Sequence, residues 1–122
     1  MKMNIKIGKL SMQAELNDSP TARKVAEALP IKASFNTWGD EIYFGIPVKA
    51  DLEESAQEVV EIGDLGYWPP GKAFCIFFGQ TPASRPGKIM PASAVNMLGK
   101  VLGDATEFKK VMDEREVVLE AA

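Results

Sequence analysis

The sequence contains no histidine and only one cysteine, Cys75, among its 122 residues. Without histidine, a Ser-His-Asp triad or a Cys-His pair cannot activate a nucleophile. The usual zinc, copper and non-haem iron ligands are also missing, and a single thiol excludes both an internal disulfide and a multi-cysteine metal site. We therefore expect no metal site and no cofactor. Any catalysis would depend on carboxylates, Lys, Arg, Tyr or an oxygen-bound metal.

Long basic runs and long apolar runs are absent as well. Fourteen basic and seventeen acidic residues are interspersed and give a net charge of −3, so we expect neither a nucleic-acid nor a membrane partner. No apolar run approaches the ~18 residues of a membrane span, and MKMNIKIGKL lacks the apolar centre of a signal peptide. The expectation is one cytoplasmic domain over residues 1–122, large enough to bury a core.

Short runs of alternating apolar and polar residues dominate the chain and predict strands. The predicted strands are 2–9, 10–16, 31–36, 41–48, 58–62, 65–68, 73–78 and 115–119, with 94–102 either a strand or a short helix. The first two form a hairpin. Residues 73–78 are apolar at every position, which is typical of a strand covered on both faces.

One helix is strongly indicated at 21–29, because Ser19 or Asp18 can cap it, Pro20 suits its first turn and Pro30 stops it. Thr106 to Met112 also has helical spacing. Residues 79–91 hold three Pro and two Gly and are interpreted as a shaped loop. About eight short strands with one or two helices predict a mainly β antiparallel barrel capped by helices.

Three segments carry a family resemblance: PTARKVAEALP (20–30), FNTWGDEIYFGIPV (35–48) and GDLGYWPPGKAFCIFFGQTPAS (63–84). In this order, and over nearly the whole chain, the sequence resembles the small prokaryotic cyclophilin-like family. The resemblance implies a closed, antiparallel eight-stranded cyclophilin-like barrel with one or two helices at its open ends, in agreement with the strand count. The members that it most resembles have no characterised function.

The resemblance to true cyclophilins is weaker and carries no catalytic residue. EIYFG and AFCIFF are similar to two of their strands. Their catalytic signature includes a His-Arg pair and a Gln before Gly-Asp. This chain has no His, and Ile62 stands before Gly63-Asp64.

Aromatic residues at turns and the Pro-rich loop supply the candidate ligand-binding residues. They are Trp38, Tyr43, Trp68, Gln80, Arg85 and Met90. The aromatic side chains form either a ligand wall or part of the barrel packing, and Arg85 is either a site residue or an ordinary loop charge. Cys75 is expected to be a buried, unreactive thiol. Asp40, Glu41 and Asp64 are interpreted as turn residues that serve local backbone hydrogen bonds, with a metal or acid/base site as the alternative.

The leading functional hypothesis is a non-catalytic module that binds a peptide or a small molecule. The alternative is a peptidyl-prolyl cis-trans isomerase with a non-standard site that uses Arg85 and Gln80. A third hypothesis is a subunit that acts through protein contact as a homo-oligomer.

Overall fold

A computed structural model describes all 122 residues and contains nine strands, one α-helix and two 3₁₀ segments. The strands are β1 (Lys2–Ile7), β2 (Leu10–Leu16), β3 (Ile31–Ser34), β4 (Asn36–Thr37), β5 (Glu41–Gly45), β6 (Asp64–Trp68), β7 (Ala73–Phe77), β8 (Asn96–Val101) and β9 (Glu116–Ala121). The helix α1 is Pro20–Ala28, and the 3₁₀ segments are Pro69–Gly71 and Ala105–Val111. No helix is long and apolar enough to cross a membrane.

All nine strands form one antiparallel sheet in the order β3-β9-β1-β2-β8-β6-β7-β5-β4. The two strands at its ends, β3 and β4, are separated in the chain only by Phe35. The Phe35 amide donates to the Arg115 carbonyl at 3.0 Å, and its side chain is buried. The sheet therefore nearly closes, and β3 with β4 acts as one strand interrupted at Phe35. Counted in this way the structure confirms the predicted mainly β, eight-stranded barrel.

The barrel interior is filled by one cluster of 25 buried apolar residues. Every second residue of β7 belongs to it, so that Phe74 and Ile76 point inward and are followed by Phe78. Cys75 and Phe77 point outward into a separate cluster of five buried residues. The prediction that this strand is covered on both faces is confirmed.

The helix α1 begins where the sequence predicted. The Ser19 hydroxyl accepts from the Ala22 amide at 3.2 Å, which satisfies one of the free amides of the first turn. Ala22 and Val25 are buried against the barrel. The helix ends at Ala28, two residues before Pro30. Its apolar face covers one open end of the barrel.

Several boundaries differ from the prediction, since the strand predicted at 41–48 ends at Gly45 and the helical segment predicted at Thr106 to Met112 is the 3₁₀ segment Ala105–Val111. Two further predicted segments are decided by the sheet pairing. Residues 58–62 do not form a strand, because β6 is already paired on both edges, with β7 and β8. Only Val60 makes a bridge, to Ile89 in the Pro-rich loop. Of the alternatives at 94–102, the strand is correct. Gly99 fits there because it has a φ of +150° and a Cβ would lie 1.9 Å from the Glu15 carbonyl oxygen.

Candidate functional site

The candidate site lies on the outer face of β5, β6 and β7. Alternation along β5 turns Ile42 and Phe44 into the core and leaves Glu41 and Tyr43 on the opposite face. Tyr43 pairs with Cys75 of β7. The outward residues of three adjacent strands thus form a continuous surface.

A cavity of about 260 Å³ opens on this surface. Three aromatic residues line it, namely Trp38, Tyr43 and Trp68. The other lining residues are Glu41, Cys75, Pro91, Ala92 and Val95. The walls come from β5, β6, β7, the turn before β5 and the end of the loop before β8. The volume is near the lower end for ligand pockets and suits a small molecule or a single side chain.

The loop that ends at β8 forms one wall by packing on the sheet. Gly66 of β6 permits this contact, because a Cβ at that position would lie 2.8 Å from Cγ2 of Val95. The Trp68 indole N–H donates to the Ser93 hydroxyl at 2.7 Å. This bond fixes the edge of the Trp68 ring against the loop, so this wall of the cavity is preformed.

The opposite wall carries Trp38, and it is fixed by a tight backbone contact. Gly39 has a φ of +62°, and a Cβ there would lie 2.7 Å from the Gln80 carbonyl oxygen. The Asp40 amide donates to that carbonyl at 2.8 Å, and the Phe78 amide donates to the Asp40 carbonyl at 3.0 Å. Trp38 therefore sits on a turn that is bound to the start of the Pro-rich loop.

The Pro-rich loop has its own hydrogen-bond network. The Ser84 hydroxyl accepts from the amides of Thr81 at 2.9 Å and of Met90 at 3.0 Å. The Thr81 hydroxyl donates to the Met90 carbonyl. These bonds hold the two ends of the loop together and support the prediction that the segment has a defined shape.

Glu41 is the only residue with a carboxyl group in the cavity lining. Glu41 is 5% exposed, and its Oε1 atom is buried without a hydrogen-bond partner. Burial raises the pKa of Glu41 from 4.5 to about 7 because the charged form loses its hydration. The neighbouring Cys75 thiol, a weak donor, acts in the opposite direction and lowers this pKa, while the hydrogen bond that it makes in the structure goes to the Ala73 carbonyl. The wall of the cavity therefore contains a buried carboxyl group whose Oε1 has no regular hydrogen-bond partner.

Cys75 is buried, as predicted. Burial raises the pKa of its thiol well above 9, and the nearby Glu41 charge acts in the same direction. A thiol in this setting stays protonated at neutral pH and is a weak nucleophile.

The structure brings three of the six predicted ligand-binding residues together at the cavity: Trp38, Tyr43 and Trp68. Gln80, Arg85 and Met90 do not line it. Gln80 and Arg85 are exposed, and Met90 contributes its backbone to the loop network.

Sequence reasoning missed Glu41. Its position after Gly39-Asp40 indicates a turn, whereas Glu41 begins strand β5 and is buried. The signal was present in the alternation of EIYF, which places Glu41 on the face of Tyr43 and opposite Ile42 and Phe44. Pro91, Ala92 and Val95 also line the cavity, and nothing in the sequence locates the end of this loop against β6.

Comparisons with known proteins agree with this architecture. The chain matches the family model described as Cyclophilin-like over residues 1–120. It is 46% identical to a hypothetical protein from Archaeoglobus fulgidus, whose solution structure gives a TM-score of 0.83 and covers 100% of this chain and 95% of that chain. The structure of McbB in complex with tryptophan is 11% identical with a TM-score of 0.72, and the match covers 98% of this chain and 44% of that chain. No curated protein matches the chain.

The likeness to McbB concerns the fold alone, because the identity is low. The family model, in contrast, matches the sequence over residues 1–120, and the archaeal protein is 46% identical over the whole chain. The resemblance found in the sequence is thereby confirmed, and the chain belongs to the cyclophilin-like family.

Proposed function

We propose that the chain is a non-catalytic binding module that takes a small molecule, or one side chain of a peptide, into the outer-face cavity. The observation that carries this proposal is the buried, unpaired Oε1 of Glu41 in the wall of a preformed cavity. Ligand sites typically combine apolar walls with a few convergent polar groups. Here the apolar walls include Trp38 and Trp68, and Glu41 is the polar group.

The unpaired oxygen matters energetically. Leaving a buried acceptor without a partner costs about 1–3 kcal/mol, and more for a charged group. A ligand that brings a hydrogen-bond donor to the Glu41 carboxyl group would reduce this penalty on binding. Because Trp38 and Trp68 are held by hydrogen-bonded turns and loops, little ordering of the walls would oppose binding. The site would thus gain free energy from both its apolar and its polar contacts.

The isomerase alternative needs a donor near the proline nitrogen, where it weakens the amide resonance that sets the ~18–20 kcal/mol barrier. The chain has three Arg residues, Arg23, Arg85 and Arg115, and none lines the cavity. An isomerase site would therefore have to lie elsewhere or use a different donor. This is why we favour binding without catalysis.

Two-dimensional ¹H–¹⁵N NMR with a library of small molecules and an Ala-Pro peptide tests the proposal. The two Trp residues give two indole N–H signals, and both belong to side chains at the cavity. We expect a ligand to shift both signals. If no ligand of either kind moves the indole signal of Trp38 or Trp68, the binding proposal is wrong.

A matched pair of variants locates the binding. Ala92 and Ala83 are exposed residues of the same loop region, but only Ala92 lines the cavity. Ala92→Phe should fill the cavity and abolish the shifts, whereas Ala83→Phe should leave them intact. Equal binding by both variants would place the ligand elsewhere and refute the assignment.

The same peptide sample separates binding from catalysis. Uncatalysed exchange of the prolyl bond takes tens to hundreds of seconds, so acceleration is readily seen by exchange spectroscopy. We expect shifted signals without acceleration. Acceleration would favour the isomerase, and loss of that activity in Arg85→Ala would then assign it to the loop, whereas unchanged turnover would exclude Arg85.

A further inference from the structure

We propose that the ligand of this cavity carries a positively charged ammonium group, held between the Glu41 carboxylate and the aromatic rings of Trp38, Tyr43 and Trp68. This inference rests on the proposed binding function and specifies the chemistry of its ligand. Three features of the cavity support it: its charge, its aromatic walls and the protonation of Glu41.

The charge of the cavity has one sign. Glu41 is the only residue of the lining that can be charged at neutral pH, since the Cys75 thiol stays protonated and no Lys or Arg contributes. Lys109 lies 3.7 Å from the carboxylate of Asp40, the residue before Glu41, but it does not line the cavity. A buried carboxylate without an internal counter-charge is costly. A cationic ligand would supply the missing charge.

The aromatic walls favour a cation as well. The face of a Trp or Tyr ring attracts a cation, and alkylated ammonium groups are commonly recognised by several rings together. Two of the three rings here are Trp, the strongest ring type for this contact. The bond from Trp68 to Ser93 holds one of them in place. An anion would be repelled by both the ring faces and Glu41, which excludes anionic head groups from the same position.

Protonation of Glu41 should control the affinity. The titratable groups around it are the Tyr43 phenol on its own strand, the Cys75 thiol on β7, and the preceding Asp40, which pairs with Lys109 of the second 3₁₀ segment. Burial raises the pKa of Glu41 to about 7, so the carboxylate that a cation needs is only partly populated at neutral pH. A ligand with a permanent charge would bind the ionised fraction and release a proton.

Choline and its neutral carbon isostere, 3,3-dimethylbutan-1-ol, test the charge directly, because they have nearly the same shape. Binding is followed by titration calorimetry and by the indole N–H signals of Trp38 and Trp68. We expect choline to bind at least about 10-fold more tightly than the isostere at pH 8. Because the apparent affinity scales with the competent fraction, choline should bind more weakly at pH 5.5 than at pH 8.5, by up to about 30-fold where the protonated form does not bind. The isostere should show no pH dependence.

Glu41→Gln preserves the side-chain shape and should remove the pH dependence of choline binding, and it should reduce the preference for choline to the part that the aromatic rings supply. Trp38→Leu should weaken choline more than the isostere, since it removes a ring but keeps an apolar wall. The comparison of the two ligands on the unmodified protein needs neither variant.

The outcomes separate the two proposals. Equal binding of choline and the isostere at the cavity would overturn the ammonium inference and leave the binding function standing. If neither shifts the indole signals while a neutral molecule of the library does, the ammonium inference alone fails. If nothing binds at the cavity, both fail.

Discussion

Glu41 should make the stability of this protein depend on pH in a direction opposite to that of an ion-paired carboxylate. Its pKa is raised from 4.5 to about 7 in the folded state, so the folded protein binds the proton more tightly than the unfolded chain. The contribution of Glu41 to the free energy of unfolding is therefore greatest below about pH 4.5, declines as the pH rises and levels off above about pH 7.

The magnitude follows from the two pKa values. At about 1.4 kcal/mol per pH unit, a rise from 4.5 to about 7 corresponds to about 3 kcal/mol in total. Most of it, about 2–3 kcal/mol, is lost between pH 5 and pH 8. This is a large part of the ~5–15 kcal/mol by which domains are usually stable.

Glu41→Gln isolates the contribution of Glu41 to the free energy of unfolding from the contributions of the other acidic residues. The variant cannot ionise, so its free energy of unfolding should exceed that of the unmodified protein by a margin that grows about 2–3 kcal/mol from pH 5 to pH 8. Urea denaturation at several pH values measures this margin. The exposed Glu58 provides the control, since Glu58→Gln should give a margin that hardly changes with pH. A constant margin for Glu41→Gln would refute the idea that burial controls this carboxyl group.

Three further substitutions test the packing around the site, each by urea denaturation. Gly66→Ala should destabilise the fold by about 1–3 kcal/mol, because the added Cβ would lie 2.8 Å from the Val95 side chain. As a control, Gly45→Ala should change the free energy of unfolding little, because there is open space around Gly45. Tyr67→Phe should cost about 1–3 kcal/mol by leaving a carbonyl acceptor unsatisfied, since the buried hydroxyl donates to it at 2.6 Å. The buried Asn96 side chain makes hydrogen bonds to Asp51, Glu53 and α1. Asn96→Ala should therefore cost at least as much free energy of unfolding as Tyr67→Phe, and it should also speed amide exchange in residues 51–53. Unchanged amide exchange in residues 51–53 would contradict this reasoning.

The barrel was predictable because its signals are local. Alternation identifies most strands, and the cap at Ser19 with the stop at Pro30 fixes α1 within a residue or two. The closure of the sheet at Phe35 was not predictable from the sequence. It depends on β3 pairing with β9, more than 80 residues away, while β4 pairs with the neighbouring β5. The failure at residues 58–62 has the same origin. Val59, Val60 and Ile62 favour a strand, but both edges of β6, which they could have joined, are taken by β7 and β8.

The site was predictable only in part, for a related reason. Trp38, Tyr43 and Trp68 can be predicted as ligand-binding residues because these aromatic residues lie near turns, a pattern that is visible in the sequence. Whether a loop residue such as Arg85 reaches the same cavity depends on how the loop folds over the sheet, and the network of Thr81 and Ser84 with the Met90 backbone decides that.

The filled interior explains why a site in this fold has to lie outside the barrel. Phe44 and Phe74 stack with centroids 5.3 Å apart, and Phe78 approaches Phe108 at 5.9 Å. A small barrel packed in this way has no space for a ligand among its inward side chains. The outer face of β5 to β7 is apolar enough to need a cover, and the loop from Phe78 to Val95 supplies it only partly.

The cavity is the part of that face that the loop leaves uncovered, and Oε1 of Glu41 in its wall has no hydrogen-bond partner. Native proteins leave very few buried polar groups unsatisfied, and this chain has two such atoms, Oε1 of Glu41 and Oδ1 of Asp64. Only Glu41 lines the cavity, so it is the one for which a ligand and packing are alternative explanations. An affinity measurement can distinguish these explanations. Both Glu41→Gln and Glu41→Leu should be more stable than the unmodified protein at pH 8 in either case, because each removes a buried charge. If Glu41 has only a packing role, the variants should keep the affinity for the ammonium probe, whereas they should bind it more weakly if Glu41 serves a ligand.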